Sequence, residues 1–184
     1  IVDSEVQRSA VLDLGCKPSK TYCFPWGIDL DKFNPGRASQ IRNKLGWPNQ
    51  NIVVSTRKHY PIYGVEYLIR AIPMIRRLVK DTKFLLVGEG SLLSYHKSLA
   101  KQLGIEDQVK FLGLVPNDFL PHILNAANVY VSTSFSDGSS ASLMEAIACA
   151  LPVVVTKIPA NEEWIIDGEN GFLFPPGDVA ALAY

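Results

Sequence analysis

The chain has 184 residues, 47% of them hydrophobic and 20% charged, enough for one well-cored domain and part of another, which excludes a disordered chain. Eighteen basic residues balance eighteen acidic ones, so no broad field attracts nucleic acid or an anionic membrane, and no nucleic-acid partner is expected. No apolar run approaches the ~20 residues of a membrane-spanning helix, and Cys16, Cys23 and Cys149 lack CxxC spacing, as suits a reducing compartment.

The start, IVDSEVQR, has neither the basic head nor the apolar core of a signal peptide. With no initiator Met, and an end at DVAALAY where a helix begins, the sequence reads as an excerpt of a longer protein. SEVQRSAVLDLG predicts one short helix, and TYCFPWGIDLDKFNPG an aromatic- and proline-rich connection. Residues 1–22 are accordingly expected to be the tail of a preceding N-terminal domain and hinge, with a Rossmann-like domain over 23–184.

NIVVST (51–56) is the first strand. After it, Val65, Leu68, Ile69, Ile72, Ile75 and Leu78 recur at helical spacing. Pro73, without an N–H, is expected to kink that helix or shorten it to its second half. KFLLVG (83–88) is a strand, followed by GEGS and a helix through SYHKSLAKQLG that stops near Gly104. Then come VKFLG (109–113), a helix after Pro116, NVYVSTS (128–134), and a helix carrying Leu143 to Cys149. PVVVT (152–156), a short helical piece near EEWII and GFLFP (171–175) complete the series.

About six β–α alternations with near-continuous Val/Ile/Leu strands predict an α/β fold: a Rossmann-like parallel sheet with helices on both faces. Ligands of such sheets bind beyond the carboxyl ends of the strands. The loops that matter are therefore RKHYPIYG, GEGS, LGLVPN, SFSDGSSA, TKIPAN and PPGD.

Among them SFSDGSSASLMEA (134–146) places Asp137 in a glycine- and serine-rich loop and Glu145 in an otherwise apolar run. A helix starting near Ser140 or Ser142 presents free N–H groups and a partial positive charge, which make an anion site. Gly138 and the serines let a phosphate approach closely. Glu145 is expected in the first turn or so of that helix. Spacing alone allows an equal alternative, a capping box of Ser142 and Glu145 with no ligand.

An acid, seven residues, then Glu-Ala before a Pro-Val-Val strand resembles the signature of glycosyltransferase family 4, retaining enzymes of the GT-B fold. In the same order the chain carries CFPWGIDLDKF, STRKHYPIYGVEYLIRA, LLVGEG, VKFLGLV, NVYVSTS, LPVVVT and EEWIIDGENGFLFPPGD, so the resemblance covers essentially all of it. It implies the C-terminal half of a GT-B fold, which holds a UDP-, GDP- or ADP-sugar donor. The glycan, lipid or small-molecule acceptor would bind through an N-terminal domain.

By the resemblance, Glu145 binds the ribose hydroxyls and Asp137, usually Glu in the family, contacts the donor sugar near the reacting centre. Backbone amides around Ser142 and Leu143 hold the diphosphate, and Arg57 stands in the place of a phosphate-binding arginine. The family's usual lysine before glycine is Tyr63 here, so one cation is missing from the expected clamp, and Lys58 replaces it only if its loop turns inward. Gly88, in GEG, falls near the nucleotide; Leu114 and Val115 belong to the loop that meets the base, or are simple packing residues. Glu163 matches a recurrent acid beside the sugar, or pairs with Glu162 as a charge pair at a helix N-terminus.

Asp29-Leu30-Asp31 has the form of a metal-binding DxD, but its place in a hinge turn argues against that role. His59, His96 and His122 lie in separate segments, which discourages metal ligation; His96 and His122 read as surface residues. The resemblance implies metal-independent transfer without a cofactor. It implies that the excerpt binds nucleotide without catalysing transfer, in a cytoplasmic protein for which peripheral attachment at the inner face of the membrane stays open. Two alternatives remain: another GT-B enzyme, such as a nucleotide-sugar epimerase or a phosphorylase, and a non-catalytic Rossmann-like regulatory or interaction module.

Overall fold

A computed structural model describes residues 1–36 and 39–184. Six strands form one parallel sheet: β1 (Asn51–Ser55), β2 (Thr82–Val87), β3 (Val109–Gly113), β4 (Val129–Ser132), β5 (Val153–Thr156) and β6 (Phe172–Phe174). Their spatial order is β3-β2-β1-β4-β5-β6. The direction of winding reverses between β1 and β4, and the crevice beyond their carboxyl ends is where open α/β sheets take ligands.

The helices are α1 (Glu5–Asp13), α2 (Ser39–Leu45), α3 (Val65–Leu78), α4 (Leu93–Gln102), α5 (Leu120–Ala126), α6 (Ala141–Ala148), α7 (Pro159–Glu162) and α8 (Val179–Ala183). They cover both faces of the sheet. Ile52, Val54, Leu85, Tyr130 and Val155 pack with α5 and α6 on one side, while Phe84, Leu86 and Val131 pack with α3, α4 and α8 on the other. Burial on both faces explains why the strands read as continuous apolar runs. The helix α2 has no counterpart in the sequence reading, because its seven residues, SQIRNKL, are too few and too polar to show a period.

Pro73 neither kinks α3 into two pieces nor removes its first half; one helix runs through it. The five buried side chains, Val65, Leu68, Ile69, Ala71 and Ile72, all precede the proline. An interior proline costs about 3 kcal/mol, whereas each fully buried Val, Leu or Ile contributes about 1.5–3 kcal/mol. Packing of the first half therefore outweighs the lost bond.

The loop after β1 is fixed from below. His59 donates its N–H to the Glu89 carbonyl at 3.0 Å, and its own carbonyl accepts from Leu92 N–H at 2.9 Å. Gly88, at φ +136°, lets this approach happen, since a Cβ there would lie 3.0 Å from the Arg57 carbonyl. His96 is not the surface residue its helical position suggests. It and His59 are both fully buried, with Nδ1 atoms 2.7 Å apart, one donating to the other, while both Nε2 atoms lack partners among the described residues. His122 is exposed, as expected.

Burial, then the neighbouring His96 and Lys97, lowers the pKa of His59 to about 4, and burial does the same for His96. An unfolded histidine titrates near ~6.5, so as pH falls from there toward 4 the unfolded chain binds protons that the folded chain refuses. Stability should be fully present above that window and decline through it. Urea unfolding followed between pH 7.5 and 4.5 should show the midpoint already dropping between pH 6.5 and 5; a flat midpoint there would mean that the pair charges freely in the fold.

Candidate functional site

At the switch point, Arg57 leaves the end of β1 and meets the loop that follows β4. Its side chain is 7% exposed. One terminal nitrogen, Nη2, pairs with Asp137 Oδ2 at 2.6 Å, and the other, Nη1, donates to Ser140 Oγ at 3.0 Å and Ser142 Oγ at 2.7 Å. The Tyr63 ring lies against the guanidinium, 4.2 Å from its centroid. That ring is fixed by the short turn Pro61–Tyr63 and by Thr133 Oγ1, which donates to the Tyr63 carbonyl at 2.9 Å. Gly64, at φ +55°, closes the turn where a side chain would strike the Thr133 carbonyl.

Ser142 is a junction. Its hydroxyl oxygen also accepts from the phenol of Tyr130, 2.9 Å away and fully buried in β4. Burial raises that phenol's pKa, so Tyr130 remains a neutral donor. Tyr130, Ser140, Asp3 and Trp26 were not among the expected site residues. A tyrosine inside a Val-rich buried strand was a usable signal for the first, since a buried phenol needs a partner.

The N-cap of α6 is Ser140, without a side-chain capping bond, and the Ser142 hydroxyl is committed to Arg57 and Tyr130. The capping-box reading therefore fails. Glu145 is the fifth residue of α6, past the first turn, so the helix dipole does not account for it. Its carboxyl is half-buried, and burial raises its pKa, with Lys32 opposing. The amides of Leu143 and Met144 both donate to the Ser140 carbonyl, at 3.0 and 3.1 Å. Those of Ala141 and Ser142 precede the first helical bonds and are the ones a ligand could use.

One cleft of about 450 Å³ brings together Arg57, Lys58, Tyr63, Asp137, Gly138, Ser142 and Glu145 of the expected residues. Lys58 is exposed in its wall. Gly88, Leu114, Val115, Leu143 and Glu163 do not line it. Gly88 abuts the backbone of 57–58, Leu143 is core, Val115 packs on the core, and Leu114 is 72% exposed. The Glu163 carboxylate accepts the N–H groups of Glu5 and Val6, at 3.4 and 3.1 Å, and so caps the start of α1. It is an acid at a helix N-terminus, but of a helix far away in sequence.

Asp29 Oδ1 accepts from the N–H groups of Asp31 and Lys32, at 3.1 and 3.2 Å, so this carboxylate shapes a turn. Among the described residues no group of three His, Cys, Asp or Glu side chains is placed to hold a metal.

A doubly wound parallel sheet with a buried arginine and a helix N-terminus at its switch point is the architecture in which α/β domains take anions or nucleotides. The family model for "Glycosyl transferases group 1" matches residues 38–184, and the chain belongs to that family. Over 168 residues, 86% of its length, it is 30% identical to the GDP-mannose-dependent alpha-(1-6)-phosphatidylinositol monomannoside mannosyltransferase of Mycolicibacterium smegmatis, covering 44% of that protein. It is 29% identical over its whole length to a D-inositol 3-phosphate glycosyltransferase of Mycobacterium sp., covering 43% of it.

The chain thus spans less than half the length of these relatives. Among solved structures, the Anabaena HepE protein in complex with UDP and glucose superposes with a TM-score of 0.90 at 26% identity, over 99% of this chain and 50% of that one. The C-terminal domain of a group 1 glycosyl transferase (LpcC) from Francisella tularensis gives 0.76 at 26% identity, over 85% and 84%. The Rossmann-like half of a GT-B fold expected from the sequence is the observed fold.

The junction makes a stability prediction. Ser142→Ala leaves the Tyr130 phenol without its partner and should destabilise the protein by about 1–3 kcal/mol. Adding Tyr130→Phe should restore most of that loss in a double-mutant cycle read by urea unfolding. Strictly additive effects would show that the two side chains do not depend on one another.

Proposed function

We propose that this chain is the donor-binding part of a retaining glycosyltransferase, which transfers a sugar from a nucleotide-diphosphate sugar to an acceptor. The observation that carries the reading is the joining of Arg57 to Ser140 and Ser142 at the start of α6, with Glu145 one turn further along the same cleft. The arginine and the leading amides of α6 suit a diphosphate, whose oxygens match the guanidinium fork. A half-buried carboxylate beyond them suits two vicinal ribose hydroxyls, which compensate its desolvation. HepE binds UDP and UDP-glucose in solved structures, and the Mycolicibacterium relative is GDP-mannose-dependent; both support a UDP- or GDP-sugar donor here, ahead of an ADP-sugar.

In this mechanism no protein nucleophile is needed. As the bond between the anomeric carbon and the diphosphate breaks, negative charge builds on the departing oxygen. Arg57 and the amides of Ala141 and Ser142 are positioned to stabilise it without a metal. Asp137 holds the arginine from the opposite side and, by the family resemblance, reaches toward the donor sugar. Residues 1–22 are assigned to the end of the preceding domain, and the acceptor to the rest of the enzyme, so the chain alone binds nucleotide without turnover. Among the described residues no helix is long and apolar enough to cross a membrane.

Two observations favour a second reading, a non-catalytic regulatory or interaction module. Tyr63 supplies a ring where the family clamp has a cation, and Asp137 neutralises Arg57. Isothermal titration with UDP, GDP and ADP decides between binding and none. One diphosphate should bind clearly better than its nucleoside monophosphate, and Arg57→Ala should weaken it at least tenfold, as loss of a charge-assisted contact predicts. Glu145→Gln should weaken nucleoside and diphosphate alike. Failure of both substitutions to matter would remove the site described.

A further inference from the structure

Trp26 is a large aromatic that is 63% exposed, and yet it is held in place. Its indole Nε1–H donates to Asp3 Oδ2 at 2.8 Å. The other oxygen of the same carboxylate accepts the Ser139 N–H at 3.2 Å. Asp3 in turn donates its own N–H to Gln7 Oε1 at 3.3 Å. A side chain on Gly138 would collide with both the Asp3 carboxylate and the Gln7 amide, so the β4–α6 loop and residues 3–7 are fitted to each other. Asp3 and Trp26 share the cleft with Arg57, Asp137 and Glu145.

Water-exposed indoles normally gain nothing from being fixed, because the apolar faces stay wet. Here the polar edge is tied down and the ring stands in the wall of a cleft. Such an arrangement suits a ligand that is apolar on one face and hydroxylated at its rim, the character of a pyranose. Along the 137–145 segment the order is Asp3 and Trp26 beside Ser139, Arg57 at Ser140 and Ser142, then Glu145 one turn on. With the diphosphate on Arg57 and the ribose toward Glu145, the remaining substituent of the diphosphate extends toward Ser139.

We propose that Trp26 contacts the donor sugar, stacking its indole face on the pyranose ring, and that Asp3 is the positioning residue that sets the indole. This rests on the nucleotide-sugar reading above. Two of the roughly four lone-pair directions of the Asp3 carboxylate are used by Trp26 and Ser139, which leaves it able to accept from a sugar hydroxyl as well.

The test compares UDP with UDP-glucose and GDP with GDP-mannose by titration against the native protein, Trp26→Ala, Trp26→Phe and Asp3→Ala. Trp26→Ala should weaken the nucleotide sugar by roughly threefold to tenfold, the size of one aromatic stacking contact, and leave the free diphosphate unchanged. Trp26→Phe, which keeps a ring, should recover part of the loss. Of the three tryptophans, Trp47 is only 5% exposed and Trp26 the most open. The sugar, and not the diphosphate, should therefore shift tryptophan emission, and the shift should vanish in Trp26→Phe and shrink in Asp3→Ala.

Equal weakening of diphosphate and nucleotide sugar by Trp26→Ala, or no weakening of either, would overturn the proposal and leave the nucleotide reading intact. Failure of the native protein to bind any of the four would overturn both.

Discussion

An arginine side chain with 7% of its surface exposed is costly unless its charge is paired, because the desolvation of an ion in a protein interior amounts to several kcal/mol. Here the answers come from two separate pieces of chain. Asp137 supplies the counter-charge, Ser140 and Ser142 accept from one terminal nitrogen, and the Tyr63 ring covers the plane. Two of those residues are held in turn: Ser142 by Tyr130 of β4, Tyr63 by Thr133 and the turn at Gly64. Pulling Arg57 out would unfasten the end of β1 from the start of α6. The Arg57 Nε has no partner among the described residues, and such an orphaned donor is tolerated most readily where function, more than stability, sets the geometry.

The Tyr63 and Asp137 departures from the family pattern make physical sense together. Replacing a lysine by tyrosine removes a positive charge from the clamp but adds a surface that fixes the remaining one. Arg57 then has few orientations open to it, and a ligand that uses it pays little entropy to do so. The cost is electrostatic, since Asp137 neutralises the arginine and any anion that used it would have to share it. A shorter acid at position 137 suits that pairing, because the carboxylate needs only to cross 2.6 Å to Nη2.

Much of the fold was readable because its strands obey one rule. Two-sided burial makes every parallel strand an apolar run, and all six appear within two residues of their expected places. What was not readable depended on contacts between distant segments. Pro73 looked like a breaker because its local cost is visible in sequence, whereas the packing that overrides it is not. His96 looked like a solvated helix residue until His59, thirty-seven positions earlier, came to lie against it. Within the site the β1 and β4 loops were found from the family motifs, and the structure joins Arg57, Asp137 and Ser142 directly. Leu114, Val115, Gly88 and Glu163 carried only positional resemblance, and each lies outside the cleft in this structure.

The N-terminal segment changes how the cleft is to be understood. Residues 1–22 read as the remnant of another domain, yet Glu163 caps α1, Val2 pairs with Cys23, and Asp3 bonds the loop at Ser139. Glycine at 138 is required by that contact, since any larger side chain would push Asp3 away. The loop that presents Asp137 to Arg57 is therefore shaped from both sides, by α6 beneath and by residues 3–7 above. A movement of α1 relative to the sheet would reach the cleft through Asp3, which bonds both Trp26 and the Ser139 amide beside Asp137.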